Sequence, residues 1–500
     1  MHPTWRWWPL VAISLGTFML LVDVTIVNVA LPSIATSLGS SFTDLQWVID
    51  GYALALAALL LLAGGLADRF GRRRVYLVGL AVFSLGSLAC GLAPGAGTLI
   101  AARVVQGAGG AAMFATTAAL LATTYSGRDR GVAFGVWGAV NGLAAASGPL
   151  LGGLLTEGLG WPAIFLVNLP VAVAAVGLTL RVVTESASGS GRIDAAGASA
   201  FTVAVVGLVV GLIAGGDRGW TDPTTLASLG VAVVATGVFV AVERRVARPM
   251  LDLALFGRPS FSALMVGAAL LSAAAFADLA YVSIWLQSVL GLGPIAAGLV
   301  VLPLSVAAFV VSAVAGRFLH GDDAHRPIAG GLALVGVGTL LMTLVDPTSG
   351  ASALLLGVVV SGLGVGLATP VLVSAALAAV PPRLAGTASA AVNTFRQLGL
   401  ALGIAVLGTL FAGRIGSVVV GAGLPGSVTD ALTGGQASRV LAATPPAARP
   451  ALDAVFHTAF AAGLDRIFVV AGLAALVAAV LVAVAGRPAS ATVEPEPAAA

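Results

Sequence analysis

The chain is built from one repeated unit, an apolar run of about twenty residues followed by a short polar or Gly/Pro-rich break. Fourteen such runs are read, over 9–33, 46–67, 75–93, 98–123, 132–155, 162–182, 197–215, 224–243, 261–288, 295–316, 327–345, 352–379, 387–412 and 465–485. Each is long enough to cross a bilayer as a helix, and the alternating segments of about ten residues that mark a transmembrane barrel are not found. Of the 500 residues, 59% are hydrophobic and 9% charged. A soluble domain carries about 25% charged residues, so this chain has no polar surface to turn to water. It reads as an all-α integral membrane protein. The first run is kept as a helix, because its apolar core exceeds the roughly 7 to 15 residues of a signal peptide and no cleavage site follows.

All 24 basic residues are arginine; there is no lysine. That excludes a Walker A nucleotide site and lysine Schiff-base chemistry. The single cysteine, Cys90, lies in an apolar run and reads as a packing residue, and four scattered histidines make no zinc set with it. No H-E-x-x-H, G-x-S-x-G or metal-ligand cluster is present, which argues against a membrane enzyme. The net charge of +3 comes from arginines spread over many loops, which points to topology rather than to a nucleic-acid partner.

With the N-terminus inside, most loop arginines (69, 72, 73, 74, 128, 130, 192, 244, 245, 248, 258, 317, 326 and 383) fall inside, and only Arg218, Arg414, Arg439 and Arg449 fall outside. The positive-inside rule thus predicts both termini in the cytoplasm, with Trp5, Trp7 and Trp8 anchoring the first helix at the interface. The stretch 413–464 is expected as one long outer loop, with "ALDAVFHTAFAAGL" as a short amphipathic surface helix, and 487–500 as a disordered tail.

Four motifs stand out against this apolar background. "GGLADRFGRRRV" (Gly64–Val75) holds Gly65, Asp68, Arg69, Gly71, Arg72 and Arg73, and a plain positive-inside loop explains its arginines but not their order. "RVVQGAGGAA" places Arg103 and Gln106 in the fourth run, either facing a partner or, for Arg103, snorkelling to the surface. Its Gly107, Gly109 and Ala112 mimic a dinucleotide fingerprint, but no strand precedes them, so close helix packing is the reading. "GAVNGLAAASGPLLGG" sets Gly142, Gly148, Gly152 and Gly153 around Pro149 in the fifth run. Small residues four apart let a backbone approach, and the proline can bend the helix. The fourth motif, "LLVDVTIVNVALP", carries Asp23 inside an apolar span, where an acid costs at least about 2.5 to 3.5 kcal/mol.

The first of these resembles the signature loop of the major facilitator superfamily, the second that superfamily's fourth-helix motif, and the third its antiporter motif, found in exporters rather than uptake members. Together with "LQWVIDGYAL", "GWPAIFLVNLPV" and "ASAAVNTFRQLGLALG", they make nearly the whole chain similar to the fourteen-helix drug:proton antiporters of the EmrB/QacA type. The resemblance implies a major facilitator fold: a six-helix bundle over 1–185, two additional helices (seven and eight) over 186–250, and a second six-helix bundle over 251–486. "AGRFLHGDDAHRP" (Ala315–Pro327) reads as a degraded second copy of the signature loop, which makes helix nine the counterpart of helix one and sets Asp278 at about the depth of Asp23.

The expected function is alternating-access export of a lipophilic, cationic small molecule in exchange for protons, by a monomer in the inner membrane of a bacterium, with no cofactor and no metal. A narrow-specificity metabolite or antibiotic exporter is the alternative, and an uptake symporter is disfavoured by the antiporter motif. Asp23 is the first choice for the proton carrier, Asp278 shares protons and substrate, and Arg103 tunes their charge. Asp50 is either an interfacial residue or an outer gate for protons or cations. Asn28, Gln106, Asn141, Gln287, Arg396 and Gln397 are ranked lower as cavity residues.

Overall fold

The computed structural model describes residues 5–185, 194–246, 249–318, 324–378 and 385–485. Eighteen α-helices follow one another among them. The first group is α1 (Trp8–Leu38), α2 (Phe42–Phe70), α3 (Arg72–Gly91), α4 (Ala96–Thr124), α5 (Gly127–Leu159), the short α6 (Ala163–Leu166) and α7 (Asn168–Val182). Then come α8 (Ala195–Arg218) and α9 (Pro223–Glu243). The last group is α10 (Pro259–Ala275), α11 (Leu279–Ile284), α12 (Pro294–Phe318), α13 (His325–Leu341), α14 (Leu355–Ala378), α15 (Ala385–Gly421), α16 (Gly426–Thr433), α17 (Ala437–Ala443) and α18 (Arg449–Ala485). Thirteen spans among the described residues are long and apolar enough to cross a membrane, and α5, 33 residues long, lies packed among them.

Local chemistry sets the boundaries. The turn between α1 and α2 uses Gly39 in the left-handed region (φ +62°) and then a reciprocal cap. In that cap Asp44 N donates to Ser41 Oγ (3.1 Å) and Ser41 N donates to Asp44 Oδ2 (2.9 Å), satisfying two of the donors a helix start leaves free. Asp222 caps α9 through Thr224 N (2.8 Å), with Pro223 at the first helical position. At the first turn Trp8 is exposed, whereas Trp7 stacks on Tyr125 with ring centroids 5.4 Å apart.

The two halves repeat one packing pattern. In the first, α3 lies on α4, α2 on α4, α1 on α5 and α3 on α7; in the second, α13 lies on α14, α12 on α14, α10 on α15 and α13 on α18. Between halves the pattern closes on itself, with α2 against α15 and α5 against α12. Helix α8 packs across the α2–α15 seam, and α9 covers α8. Glycines set the closest approach in both halves. A Cβ on Gly109 would fall 2.7 Å from Phe83 Cα and 2.8 Å from the Gly79 carbonyl, and one on Gly338 would fall 2.7 Å from the Gly357 carbonyl. No residue larger than glycine lets those backbones meet, which is how helices pack where lipid offers no hydrophobic drive between them.

Two expectations are corrected. The stretch 413–464 is mostly helix: α15 runs on to Gly421 and α18 begins at Arg449, so the connection is 422–448 with α16 and α17 in it. "ALDAVFHTAFAAGL" contains no proline and only one glycine, so nothing stops it joining the apolar run that follows into one 37-residue helix. The ninth span is also not continuous. It breaks after Ala275, where Phe276 takes φ −131°, ψ −29°, and resumes at Leu279 before a π-turn over Trp285–Val289. Residues 319–323 of the degraded loop copy and the tail from 486 lie outside the described residues.

Gly109→Val is expected to lower the melting temperature of the purified protein, at a cost of about 1–3 kcal/mol from overpacking. Gly64→Ala, whose Cβ meets nothing within 4 Å, leaves it unchanged or slightly raised. Equal melting of Gly109→Val and the parent would contradict this packing.

Candidate functional site

Asp23 on α1 is fully buried and every direction around its carboxylate is answered. Arg103 Nη1 on α4 donates to Oδ2 at 2.5 Å, while Gln106 Nε2 (2.8 Å) and Asn168 Nδ2 (3.2 Å) donate to Oδ1. Ser87 Oγ on α3 accepts from Gln106 Nε2 (2.8 Å) and Asn168 Nδ2 (3.2 Å), and the Gln106 oxygen accepts from Arg103 Nη1 (2.7 Å). Arg103 Nε donates to the Val48 carbonyl of α2 (3.0 Å), and its guanidinium lies 4.1 Å from the Tyr52 ring centroid. Arg103 does not snorkel: at 1% exposure it is a structural cation joining α1, α2 and α4, with Phe165 on a further side at 5.7 Å. The arrangement is a saturated network, the form in which an ion pair persists in low dielectric. Asp23 therefore sits in no open cavity in this conformation.

Asp50 and Asp278 stand in the opposite condition. Both are buried, at 0% and 1% exposure, and none of their four carboxylate oxygens has a hydrogen-bond partner. Asp50 lies about two turns inside α2 rather than at its rim. Asp278 sits in the break between α10 and α11, at the residue that precedes the first turn of α11. A broken membrane helix is a recurrent way to bring a polar group to a binding site at the interface of repeats. Ionised, each of these acids would be a buried charge with no donor, an arrangement that costs several kcal/mol.

The antiporter motif lies between the halves. On α5, a Cβ at Gly152 would fall 2.8 Å from the Ile26 carbonyl of α1, and Gly148 faces Thr25 of the same helix, whose Cβ would lie 2.8 Å away. Gly153 points the other way, where a Cβ would fall 2.6 Å from Ile295 Cα at the start of α12; Gly298 of α12 in turn touches the Pro149 carbonyl. One turn on, the Glu157 carboxylate accepts from Ile295 N (3.3 Å). This helix therefore presses one glycine face on its own half and another on the opposite half. Pro149 and Asn28 line a small interdomain pocket with Thr25, Phe276, Ser283 and Ser305, and Gln287 Nε2 beside it donates across the halves to the Val29 carbonyl (2.7 Å). Asn141 and Gly142 lie outside the residues whose side-chain surroundings are described.

The signature loop closes on a partner that the sequence did not announce. Gly71 takes φ +99°, and its Cα faces Glu185 after α7, whose two oxygens accept from Arg73 N (3.0 Å) and Arg74 N (3.1 Å) at the start of α3. A carboxylate there answers the free N–H groups of a helix start. Arg73 Nη2 donates to the Leu180 carbonyl (2.7 Å), Asp68 pairs with Arg72 at 3.1 Å on the surface, Arg69 lies over Phe70 (5.2 Å), and Gly65 faces open space. Arg396 and Gln397 are half-buried on α15, and Arg396 Nε has no hydrogen-bond partner. Sequence reasoning missed Asn168, Ser87, Tyr52 and Glu185. The first three are polar or aromatic residues inside apolar runs, a signal that was present but not used residue by residue.

Two bundles with one packing pattern, meeting along a seam that holds buried acids and a broken helix, define a transporter of the alternating-access class. A family model for the Major Facilitator Superfamily matches residues 13–404, and the chain belongs to that superfamily. It is 39% identical over 405 residues to the multidrug resistance protein Stp of Mycobacterium tuberculosis, covering 81% of this chain and 75% of that one. It is 35% identical over 490 residues to the tetracenomycin C resistance and export protein of Streptomyces glaucescens, covering 95% and 90%. Among solved structures, a bacterial homologue of the human lysosomal transporter Spinster, in an inward-facing and unoccupied conformation, superposes with a TM-score of 0.68 at 19% identity, covering 98% of each chain. The chain is a multi-pass protein of the bacterial inner membrane.

Removing one member of the Asp23–Arg103 pair strands the other. Arg103→Met is expected to destabilise the purified protein by about 3–5 kcal/mol, and the double variant Asp23→Leu/Arg103→Met to recover part of that loss, read by thermal unfolding. Additive losses in the double variant would show that the pair is not coupled.

Proposed function

We propose that this protein exports lipophilic, cationic drugs or antibiotics across the inner membrane in exchange for protons, with both termini in the cytoplasm. The observation that carries this is the pair of partnerless buried carboxylates, Asp50 and Asp278, one in each half beside the seam. A carboxylate that gains and loses a proton as access to water changes is what an exchanger needs, because protonation and a cationic substrate then compete for one charge. Asp50 and Asp278 are assigned the protons. Asp23, which the sequence put first, keeps its charge balanced by Arg103 and sets the electrostatics of the first half. The relatives named for resistance to several drugs, and for resistance to and export of tetracenomycin C, support export over uptake. The glycine face of α5 against α12 supports it too, since that is where the antiporter motif touches the other half.

A narrower reading, export of one antibiotic, is favoured by the tetracenomycin C relative, which matches along 95% of this chain. The two readings share a mechanism and differ in the walls of the pocket. The proton gradient drives both, with no cofactor, and a monomer suffices.

In inverted vesicles with an acid interior, adding a lipophilic cation is expected to restore the fluorescence of a pH-quenched dye. Asp50→Asn and Asp278→Asn should each abolish that recovery, while Arg396→Gln retains it at least in part. Full recovery in both asparagine variants would contradict the assignment. A response to one antibiotic and to no other compound of a broad panel would select the narrower reading.

A further inference from the structure

Four residues after α2 begins at Phe42, it reaches the second half with an uncharged side chain. Gln46 Nε2 donates to the Ile404 carbonyl of α15 (3.3 Å), and the same carbonyl accepts from Tyr281 Oη of α11 (2.6 Å). Only the Gln46 bond crosses between the halves; the Tyr281 bond lies within the second half and fixes the carbonyl that Gln46 reaches. Gly408 makes room for both: a Cβ there would fall 2.6 Å from Tyr281 Oη and nearer still to Gln46 Nε2. Phe42 of α2 packs on the same tyrosine at 5.9 Å and on Phe411 at 6.2 Å, so the grip is covered by aromatic rings from both halves.

The two partnerless acids flank this point. Asp50 is one helical turn from Gln46 on α2, and Asp278 is one turn from Tyr281 at the start of α11. The other charged groups on packed elements do not answer them. Arg103 of α4 is committed to Asp23 of α1, and Arg396 and Arg414 of α15 and Asp465 and Arg466 of α18 form no ion pair or hydrogen bond with Asp50, Asp278 or Tyr281. With cytoplasmic termini, the α1–α2 turn and hence this seam lie toward the outside.

We infer that Gln46 is the latch of the outer gate, holding the halves together at the Ile404 carbonyl that Tyr281 fixes in place, while Asp50 and Asp278 are uncharged, so that closure follows proton loading. This rests on the proton-coupled reading above. When the acids ionise, the two charges flanking the tyrosine demand water, and the seam that excludes water opens. When protons arrive from outside, the demand vanishes and Gln46 can close on its carbonyl. Tyr281 is a positioning residue: it touches neither proton nor drug, and sets the balance between two conformations.

The test is the distance between spin labels at Ser37→Cys and Ala422→Cys in a Cys90→Ala background, measured on the full chain in lipid nanodiscs across a pH series. The parent is expected to populate a short distance at acid pH and a longer one at alkaline pH. Gln46→Leu should cut the short-distance population about fivefold at a given pH, the effect of one lost hydrogen bond between the halves, and shift its midpoint to more acid pH, and Tyr281→Phe, which frees the carbonyl, should shift it in the same direction. Gly408→Ala, which displaces both donors by another route, should do the same. Asp50→Asn/Asp278→Asn should stay short at every pH. A wild-type pH profile in both Gln46→Leu and Gly408→Ala would overturn the latch, and so would an opening of the double asparagine variant as pH rises. Drug-evoked proton flux of the parent, measured in parallel, separates the two claims. Latch shifts without flux would sink the export reading alone, and flux with unchanged distances would sink the latch alone.

Discussion

Hydrocarbon has no water to lend, so each polar group placed in it must be answered by another polar group or lose its charge. The first half of this protein answers Asp23 in full: a guanidinium, two amides and, behind them, a serine hydroxyl tie α1, α3, α4 and the start of α7 into one unit. The seam between halves leaves Asp50 and Asp278 unanswered. That contrast separates what is fixed from what works. A saturated network resists change because any displacement strands a charge, whereas an unanswered acid changes its surroundings or its proton.

The duplicated packing gives this contrast its geometry. Because α2 meets α15 as α5 meets α12, the halves are joined by two equivalent contacts related by the repeat, the arrangement about which transporters built from repeats rock. Glycines at 148, 152, 153 and 298 make the α5 contact a backbone-to-backbone one, which tolerates sliding better than interdigitated side chains. The inserted helix α8 lies over the other contact, reaching Ala58 through Thr202 and Thr409 through Gly216, and so touches both halves at once.

Much of this was legible in the sequence. Run length gave the helices. Motif order carried the resemblance to the superfamily, with Gly71 before three arginines and Gly148 before Pro149, and the family match bears it out. The roles of the acids were less legible. An aspartate at the centre of an apolar run looks the same whether its partner is an arginine eighty residues later or nothing at all, and only the fold shows that Arg103 finds Asp23 while no cation finds Asp278. Helix ends were misjudged where chemistry is permissive: no breaker separates "ALDAVFHTAF" from the last span, and no proline marks the break before Asp278. Gln46 and Tyr281 share the condition of Asn168 and Ser87: an uncharged polar residue in an apolar run signals a need for a partner, but the partner, here a carbonyl of another helix, is supplied only by the fold.

The central claim is that the exchangeable protons sit on Asp50 and Asp278 and not on Asp23. The most direct measurement is proton release on drug binding by purified protein in weakly buffered detergent, followed with a pH indicator. The account predicts release by the parent, a smaller release by Asp50→Asn and by Asp278→Asn, and none by the double variant. Release at the parent level from the double variant, together with its loss in Asp23→Asn, would return the proton to Asp23 and contradict the account.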